Sequence, residues 1–125
     1  MRLVLYQSSI TISDSVTSIG CSAFYDCKNL TSVILPNSLR TIGKFAFSCC
    51  SLSSVTIPNG ITTIANGVFY ECPNLTSITI PNTVTSMGND AFLCCDKLKN
   101  NYYKNTKEII EKCKNQGQLC SWKRG

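Results

Sequence analysis

The chain has 125 residues, 43% of them hydrophobic and 15% charged, a balance that favours one folded domain over a disordered chain. It contains no histidine, which excludes histidine-based catalytic triads and histidine-ligated zinc. The formal net charge of +5 is uneven, because residues 1–96 carry four basic and five acidic side chains, whereas residues 97–125 carry eight basic and two acidic ones.

One phrase of the sequence occurs four times between residues 7 and 98. Its most regular mark is a phenylalanine at positions 24, 47, 69 and 92, with intervals of 23, 22 and 23 residues. The middle interval is one residue shorter because residues 50–52 replace the longer segment at residues 27–30. A period near 23 residues falls within the range of leucine-rich repeats, in which each copy forms one coil of a solenoid.

Within each copy, the spacing of apolar residues predicts a strand, a turn and a bend, in that order. In the fourth copy Ile78 and Ile80 alternate with polar residues, which is typical of a short strand with one buried side. Pro81 ends this strand because it lacks a backbone N–H, and Asn82 favours a turn. Phe92 then falls on the inner face of a short helical or irregular turn.

Each copy has an apolar side that only neighbouring copies can bury, so the copies are expected to stack. The predicted fold is a repeat solenoid of about four coils over residues 1–98, with a parallel β-sheet on the concave face and the short turns on the convex side. Strands of successive coils should lie about 4.8 Å apart in this sheet. Residues 3–5 are the candidate cover for the first coil, and a poorly covered end would favour end-to-end self-association.

The pattern LxxIxIPxxVxxIGxxAFxxC, read across residues 7–98, resembles that of the BspA-like leucine-rich repeat family. The first copy departs from it, with Gln7 in place of leucine and Ser13 in place of proline. The resemblance implies a surface-type binding or adhesion module of bacteria or mucosal protozoa, often carried in much larger proteins.

Side chains between the inward positions of each strand define the strand face, which is the candidate ligand-binding surface. Its two ladders are Ser9, Ser32, Ser54 and Ser77, and Thr11, Ile34, Thr56 and Thr79. This face is rich in hydroxyls and uncharged, and a rigid sheet lets many hydrogen bonds form at a low ordering cost. The alternative is that these residues are solvated strand formers and that the site lies elsewhere, because a specific partner normally requires aromatic or arginine anchors.

The chain has nine cysteines, and four of them follow the repeated phenylalanine by three residues, at positions 27, 50, 72 and 95. This spacing predicts a ladder of buried thiols. Cys49 and Cys94 share an outward position two coils apart, about 10 Å, which is too far for a disulfide. Cys113 and Cys120 are candidates to pair. The odd count and the repeat-following spacing favour reduced thiols and a reducing compartment.

Residues 99–125 form a basic segment that is expected to fold as a C-terminal helical cap. Asn105 and Glu108 are typical of a helix N-terminus, and Gly117 is typical of a C-terminus. A cap would cover the apolar end of the last coil. The basic side chains of the segment also fit an anionic ligand, either nucleic acid or a membrane, although a solvated helix face is the commoner reason for such charge.

The predicted function is noncatalytic binding of a protein or glycan through the strand face. The alternatives are a structural fragment of a larger repeat protein with its ligand surface elsewhere, and anionic-ligand binding by the basic tail. With no histidine base and no glycine-rich phosphate loop, we expect no enzyme activity, no cofactor and no metal centre. The N-terminus shows no secretory signal, which with reduced thiols favours the cytoplasm, whereas a fragment of a family-typical protein would come from the cell surface or be secreted.

Overall fold

The computed structural model describes residues 8–98 of the chain. The predicted cover at residues 3–5, the helical cap and basic side chains of residues 99–125, and the candidate pair Cys113 and Cys120 lie outside the described residues. The division of the chain at residue 98 therefore stays a prediction.

Eight short strands form the regular part of the described fold, two in each coil. They are β1 (Ser9–Thr11), β2 (Ser18–Ile19), β3 (Ser32–Ile34), β4 (Thr41–Ile42), β5 (Ser54–Thr56), β6 (Thr63–Ile64), β7 (Ser77–Thr79) and β8 (Ser86–Met87). Coil 1 contains β1 and β2, coil 2 contains β3 and β4, coil 3 contains β5 and β6, and coil 4 contains β7 and β8. The middle residue of each three-residue strand is more buried than its neighbours, which confirms the predicted alternation.

Strands of neighbouring coils pair in parallel. β1 pairs with β3 so that Ser9 lies opposite Ser32, and β5 pairs with β7 so that Ser54 lies opposite Ser77. In the same way β2 pairs with β4, and β6 pairs with β8. Equivalent repeat positions therefore lie side by side, which confirms the parallel solenoid.

The predicted proline turn follows β3, β5 and β7, whereas Ser13 takes the place of the proline after β1. In coil 2 the N–H of Leu39 donates to the carbonyl oxygen of Pro36 at 3.1 Å, and in coil 4 Val84 donates to Pro81 at 3.2 Å. Proline suits the first position of these turns because it has no N–H to leave unpaired after the strand. The turns lead the chain from one strand of the coil to the next.

The convex side of each described coil is an irregular turn. Two residues in each coil adopt a positive φ: Ser22 and Asp26, Phe45 and Cys49, Gly67 and Glu71, and Asp90 and Cys94. Alternate backbone N–H groups of the turn donate to the next coil, as when Phe24 donates to the Ala46 carbonyl oxygen at 2.8 Å. The same bonding continues from coil 2 to coil 3, where Phe47 donates to Val68 at 3.0 Å.

The expected single sheet is interrupted between coils 2 and 3. Among the described residues no ladder joins β3 to β5 or β4 to β6, so each of the two strand sets forms two two-stranded sheets. The loop that enters β5 is the one shortened by a residue, and Ser53 of this loop donates its N–H to the Thr31 carbonyl oxygen at 3.2 Å. The turns of the same two coils remain bonded.

Apolar side chains of all four coils form one core. The repeated phenylalanines are at most 5% exposed, and their rings stack in a column with centroids 5.2, 5.9 and 5.6 Å apart. Rings at these separations lie within the favourable range for aromatic pairs. Ile78 and Ile80 are 1% and 0% exposed, as their alternation predicts. The continuous apolar interior on which the repeat interpretation depends is therefore present.

Glycine follows the second strand in coils 1, 2 and 4, where coil 3 has Ala65, and the close approach of coil 1 requires glycine at residue 43. A Cβ built on Gly43 would lie 2.5 Å from the backbone N of Cys21 and 2.7 Å from the carbonyl carbon of Gly20. A Cβ built on Gly20 would meet no atom within 4 Å. The requirement at Gly43 therefore comes from the turn of coil 1, against which the turn of coil 2 packs.

Candidate functional site

The strand face lies where the sequence predicts it. All eight predicted site residues occur in β1, β3, β5 and β7, on either side of the inward residue of each strand. Six of them are exposed, whereas Ser77 and Thr79 in β7 are half-buried. The register brings these residues into ladders within coils 1 and 2 and within coils 3 and 4. Ligand binding by these residues stays a prediction.

Some hydroxyl groups beside the two ladders form hydrogen bonds within the fold. Thr31 donates from Oγ1 to the Ser8 carbonyl oxygen at 3.0 Å, and Thr76 donates from Oγ1 to the Ser53 carbonyl oxygen at 3.1 Å. Both bonds join one coil to the preceding coil just before a strand begins. Thr31 and Thr76 therefore support the strand face by holding its strands together.

A pocket of about 350 Å³ lies on the strand face at the interruption between β3 and β5. It is lined by the predicted site residues Ser32, Ile34, Ser54 and Thr56, among others, with Asn37 and Pro58 from the turns that follow. The volume lies near the lower end of the range for small-molecule sites, roughly 300–1,000 Å³. The sequence predicted the four strand residues but missed the pocket, for which the shortened repeat interval was a signal.

Ile34 is the apolar member of the two ladders and is 60% exposed. Threonine occupies the same position in the other three coils, at residues 11, 56 and 79. Ile34 therefore gives this part of the face an apolar contact surrounded by hydroxyls. No charged residue lines the pocket in the described part of the chain.

The four repeat cysteines form the predicted ladder of buried thiols and are at most 6% exposed. The S–H groups of Cys50, Cys72 and Cys95 donate to the carbonyl oxygen of the repeated phenylalanine in the preceding coil, over 3.1, 3.2 and 3.0 Å. Burial raises the pKa of Cys50 to about 12, so its thiol stays neutral. These cysteines are structural donors, a role that composition and spacing alone did not indicate.

The convex side carries three further thiols, which are free: Cys21, Cys49 and Cys94. The thiol of Cys49 donates to Glu71 Oε1 at 3.4 Å, across the boundary between coils 2 and 3. Lys28 forms an ion pair with Asp26 at 2.8 Å. Within residues 8–98, no cluster of three or more cysteine, aspartate or glutamate side chains is arranged to hold a metal ion.

The repeated strands, the stacked phenylalanines and the turn bonding define a leucine-rich repeat solenoid. The family model of the BspA type leucine rich repeat region matches residues 5–118 of the chain in six copies. The chain therefore belongs to the BspA-type leucine-rich repeat family, whose members are generally noncatalytic.

Solved structures of bacterial leucine-rich repeat proteins are similar to this fold. A leucine-rich repeat protein of T. pallidum is 29% identical, with a TM-score of 0.71 over 74% of this chain and 46% of its own. A leucine-rich cell surface protein of Faecalibacterium prausnitzii is 30% identical, with a TM-score of 0.59 over 85% of this chain and 35% of its own. A leucine-rich repeat protein of Bacteroides ovatus is also 30% identical, with a TM-score of 0.55 over 74% of this chain and 30% of its own.

The chain spans less than half the length of each of these structures. A comparison with curated proteins found no match. Within residues 8–98, no helix has the length and apolar character needed to cross a bilayer.

Proposed function

We propose that this protein is a noncatalytic binding module that holds a protein or glycan partner on its strand face. The observation that carries the proposal is the pocket between β3 and β5, with Ile34 exposed among hydroxyl side chains in its wall. An adhesion-type role is supported by the similar structure from F. prausnitzii, which is described as a cell surface protein.

The chemistry of the strand face favours a neutral partner rich in hydrogen-bonding groups. Serine and threonine hydroxyls both donate and accept hydrogen bonds, so they match the hydroxyls of a glycan or the backbone of a protein loop. Ile34 adds an apolar contact, and the short strands hold these groups on a regular scaffold. Binding of this kind requires neither a catalytic residue nor a cofactor.

The test compares two triple variants of the full chain against a glycan array and a panel of purified extracellular-matrix proteins. The strand-face variant carries Ile34→Glu, Thr56→Glu and Thr79→Glu. The control carries Thr17→Glu, Thr62→Glu and Thr85→Glu, which place the same added charge at exposed positions next to β2, β6 and β8. Loss of a wild-type interaction in the first variant, with retention in the control, would support the strand face. Equal retention in both variants would refute it.

Salt dependence separates this proposal from anionic-ligand binding by the basic tail, which lies outside the described residues. Affinity for a polyanion falls steeply as salt rises, because bound counterions are released. Binding to the uncharged strand face should change little over the same range of salt. A strongly salt-dependent interaction that survives the strand-face substitutions would therefore assign binding to the tail.

A further inference from the structure

A second surface, on the convex side of coils 2 and 3, departs from the repeat. Phe45 is 38% exposed and stands where the other coils have Ser22, Gly67 and Asp90. Its backbone φ is 58°, in the left-handed region that a bulky side chain rarely adopts. The fold therefore holds an exposed aromatic ring at a position better suited to a small or polar residue.

Coil 3 makes room for the Phe45 ring. A Cβ built on Gly67 would clash with this ring, so the glycine leaves the space that the ring fills. The ring meets Tyr70 edge to face, with centroids 6.3 Å apart and planes at 90°. This arrangement is favourable for an aromatic pair, and it fixes two partly exposed rings at a right angle.

A carboxylate lies beside this aromatic pair. Glu71 is exposed and follows Tyr70 directly, and its Oε1 accepts the hydrogen bond from Cys49. Repulsion from the Glu71 charge is the main reason that the pKa of Tyr70 is raised. The negative charge of Glu71 therefore acts on the Tyr70 hydroxyl. Lys28 of coil 1 is paired with Asp26, and the charge of Glu71 also contributes to its raised pKa.

We propose that Phe45, Tyr70 and Glu71 form a binding site for a lysine or arginine side chain of a protein partner. Aromatic faces attract a cation through their quadrupole, and a neighbouring carboxylate adds a charge-assisted hydrogen bond. The net charge of +5 on the whole chain opposes general attraction of a basic partner, so binding would have to come from the local arrangement. The site is separate from the strand face and goes beyond the proposed function.

The probe is a capped pentapeptide of alternating glycine and lysine, and its matched control has glutamine in place of each lysine. Binding is measured on the full chain by NMR titration, from ring-proton shifts of Phe45 and Tyr70. We expect Tyr70→Leu to weaken binding about two- to fivefold, the loss of one exposed cation–π contact. Glu71→Gln should also weaken binding, and more salt should reduce it.

Tyr25→Leu is the matched variant, because Tyr25 occupies the same repeat position as Tyr70, is 40% exposed and precedes an acid that Lys28 already neutralises. It should leave the affinity unchanged. The proposal is overturned if the glutamine peptide binds as well as the lysine peptide, if Tyr25→Leu weakens binding as much as Tyr70→Leu, or if the Phe45 and Tyr70 signals do not move. A thermal melt of each variant establishes that it is folded.

Discussion

Replacing Phe69 by alanine should remove a large part of the stability of the solenoid. Its ring is fully buried in the middle of the column, 5.9 Å from the ring of Phe47 and 5.6 Å from that of Phe92. Truncating a buried phenylalanine to alanine costs about 3–5 kcal/mol, through lost burial and the cavity left behind. Because Phe69 loses two ring contacts, we expect the upper end, about 5 kcal/mol, out of the roughly 5–15 kcal/mol typical of a folded domain.

A comparison with Phe24→Ala gives the contribution of one stacked ring pair to the free energy of unfolding. Phe24 lies at the end of the described column, has one stacked neighbour at 5.2 Å and is 5% exposed. Phe24→Ala should cost about 1 kcal/mol less than Phe69→Ala, which is the usual value of one aromatic pair beyond its burial.

The assay is urea unfolding followed by far-ultraviolet circular dichroism. With a slope of about 2 kcal/mol per molar urea, Phe69→Ala should lower the midpoint by roughly 2.5 M. Phe45→Ala is the surface control, since Phe45 is an aromatic residue outside the column. If Phe69→Ala cost no more than Phe45→Ala, the phenylalanine column would not hold the coils together.

Three further outcomes follow from the packing of the coils. Gly43→Ala should destabilise the protein by more than 1 kcal/mol, as its Cβ would meet the backbone of coil 1, whereas Gly20→Ala should be tolerated; thermal melts of the two variants check this. Burial raises the pKa of Cys50 from its usual 9.0 to about 12. The contribution of this neutral thiol to the free energy of unfolding should therefore be complete below about pH 9 and should decrease as pH rises toward 12. The free energy of unfolding of Cys50→Ala should decrease less over the same pH range. A thiol reagent at neutral pH should modify exposed Cys21 rapidly and buried Cys72 only on unfolding, which peptide mass spectrometry would show.

The repeated part of the fold could be predicted from the sequence because each of its features depends on local spacing. Alternation over two residues placed Ile78 in the core, and the recurrence of one phenylalanine placed Phe47 and Phe69 in one column. The same reasoning placed the serine and threonine ladders on the outer side of the strands. Four copies of one pattern allow only one strand register, since a change of register would expose the apolar side of every coil at once.

What the sequence did not predict depends on how one coil meets the next. The shortened interval before β5 was visible, but it did not reveal that both ladders between coils 2 and 3 are missing or that a pocket lies there. The sequence also gives no specific reason for Gly43, which is required because a Cβ there would meet the backbone at Cys21. The hydrogen-bond acceptors of the buried thiols could not be predicted either. Cys72, for example, donates to the carbonyl oxygen of Phe47, which lies 25 residues earlier in the chain.

Several departures from the repeat lie at the boundary between coils 2 and 3. Ile34 and the shortened loop lie on its strand side, and Phe45 and Gly67 lie on its convex side. Residues that recur in every coil are explained by stacking, since each makes the same contact with the neighbouring coil in every copy. A surface made only of recurring residues would also offer a partner several equivalent positions and hence no defined register. Residues that break the pattern are needed to fix one position along the solenoid, and this boundary is where both proposed binding surfaces have them.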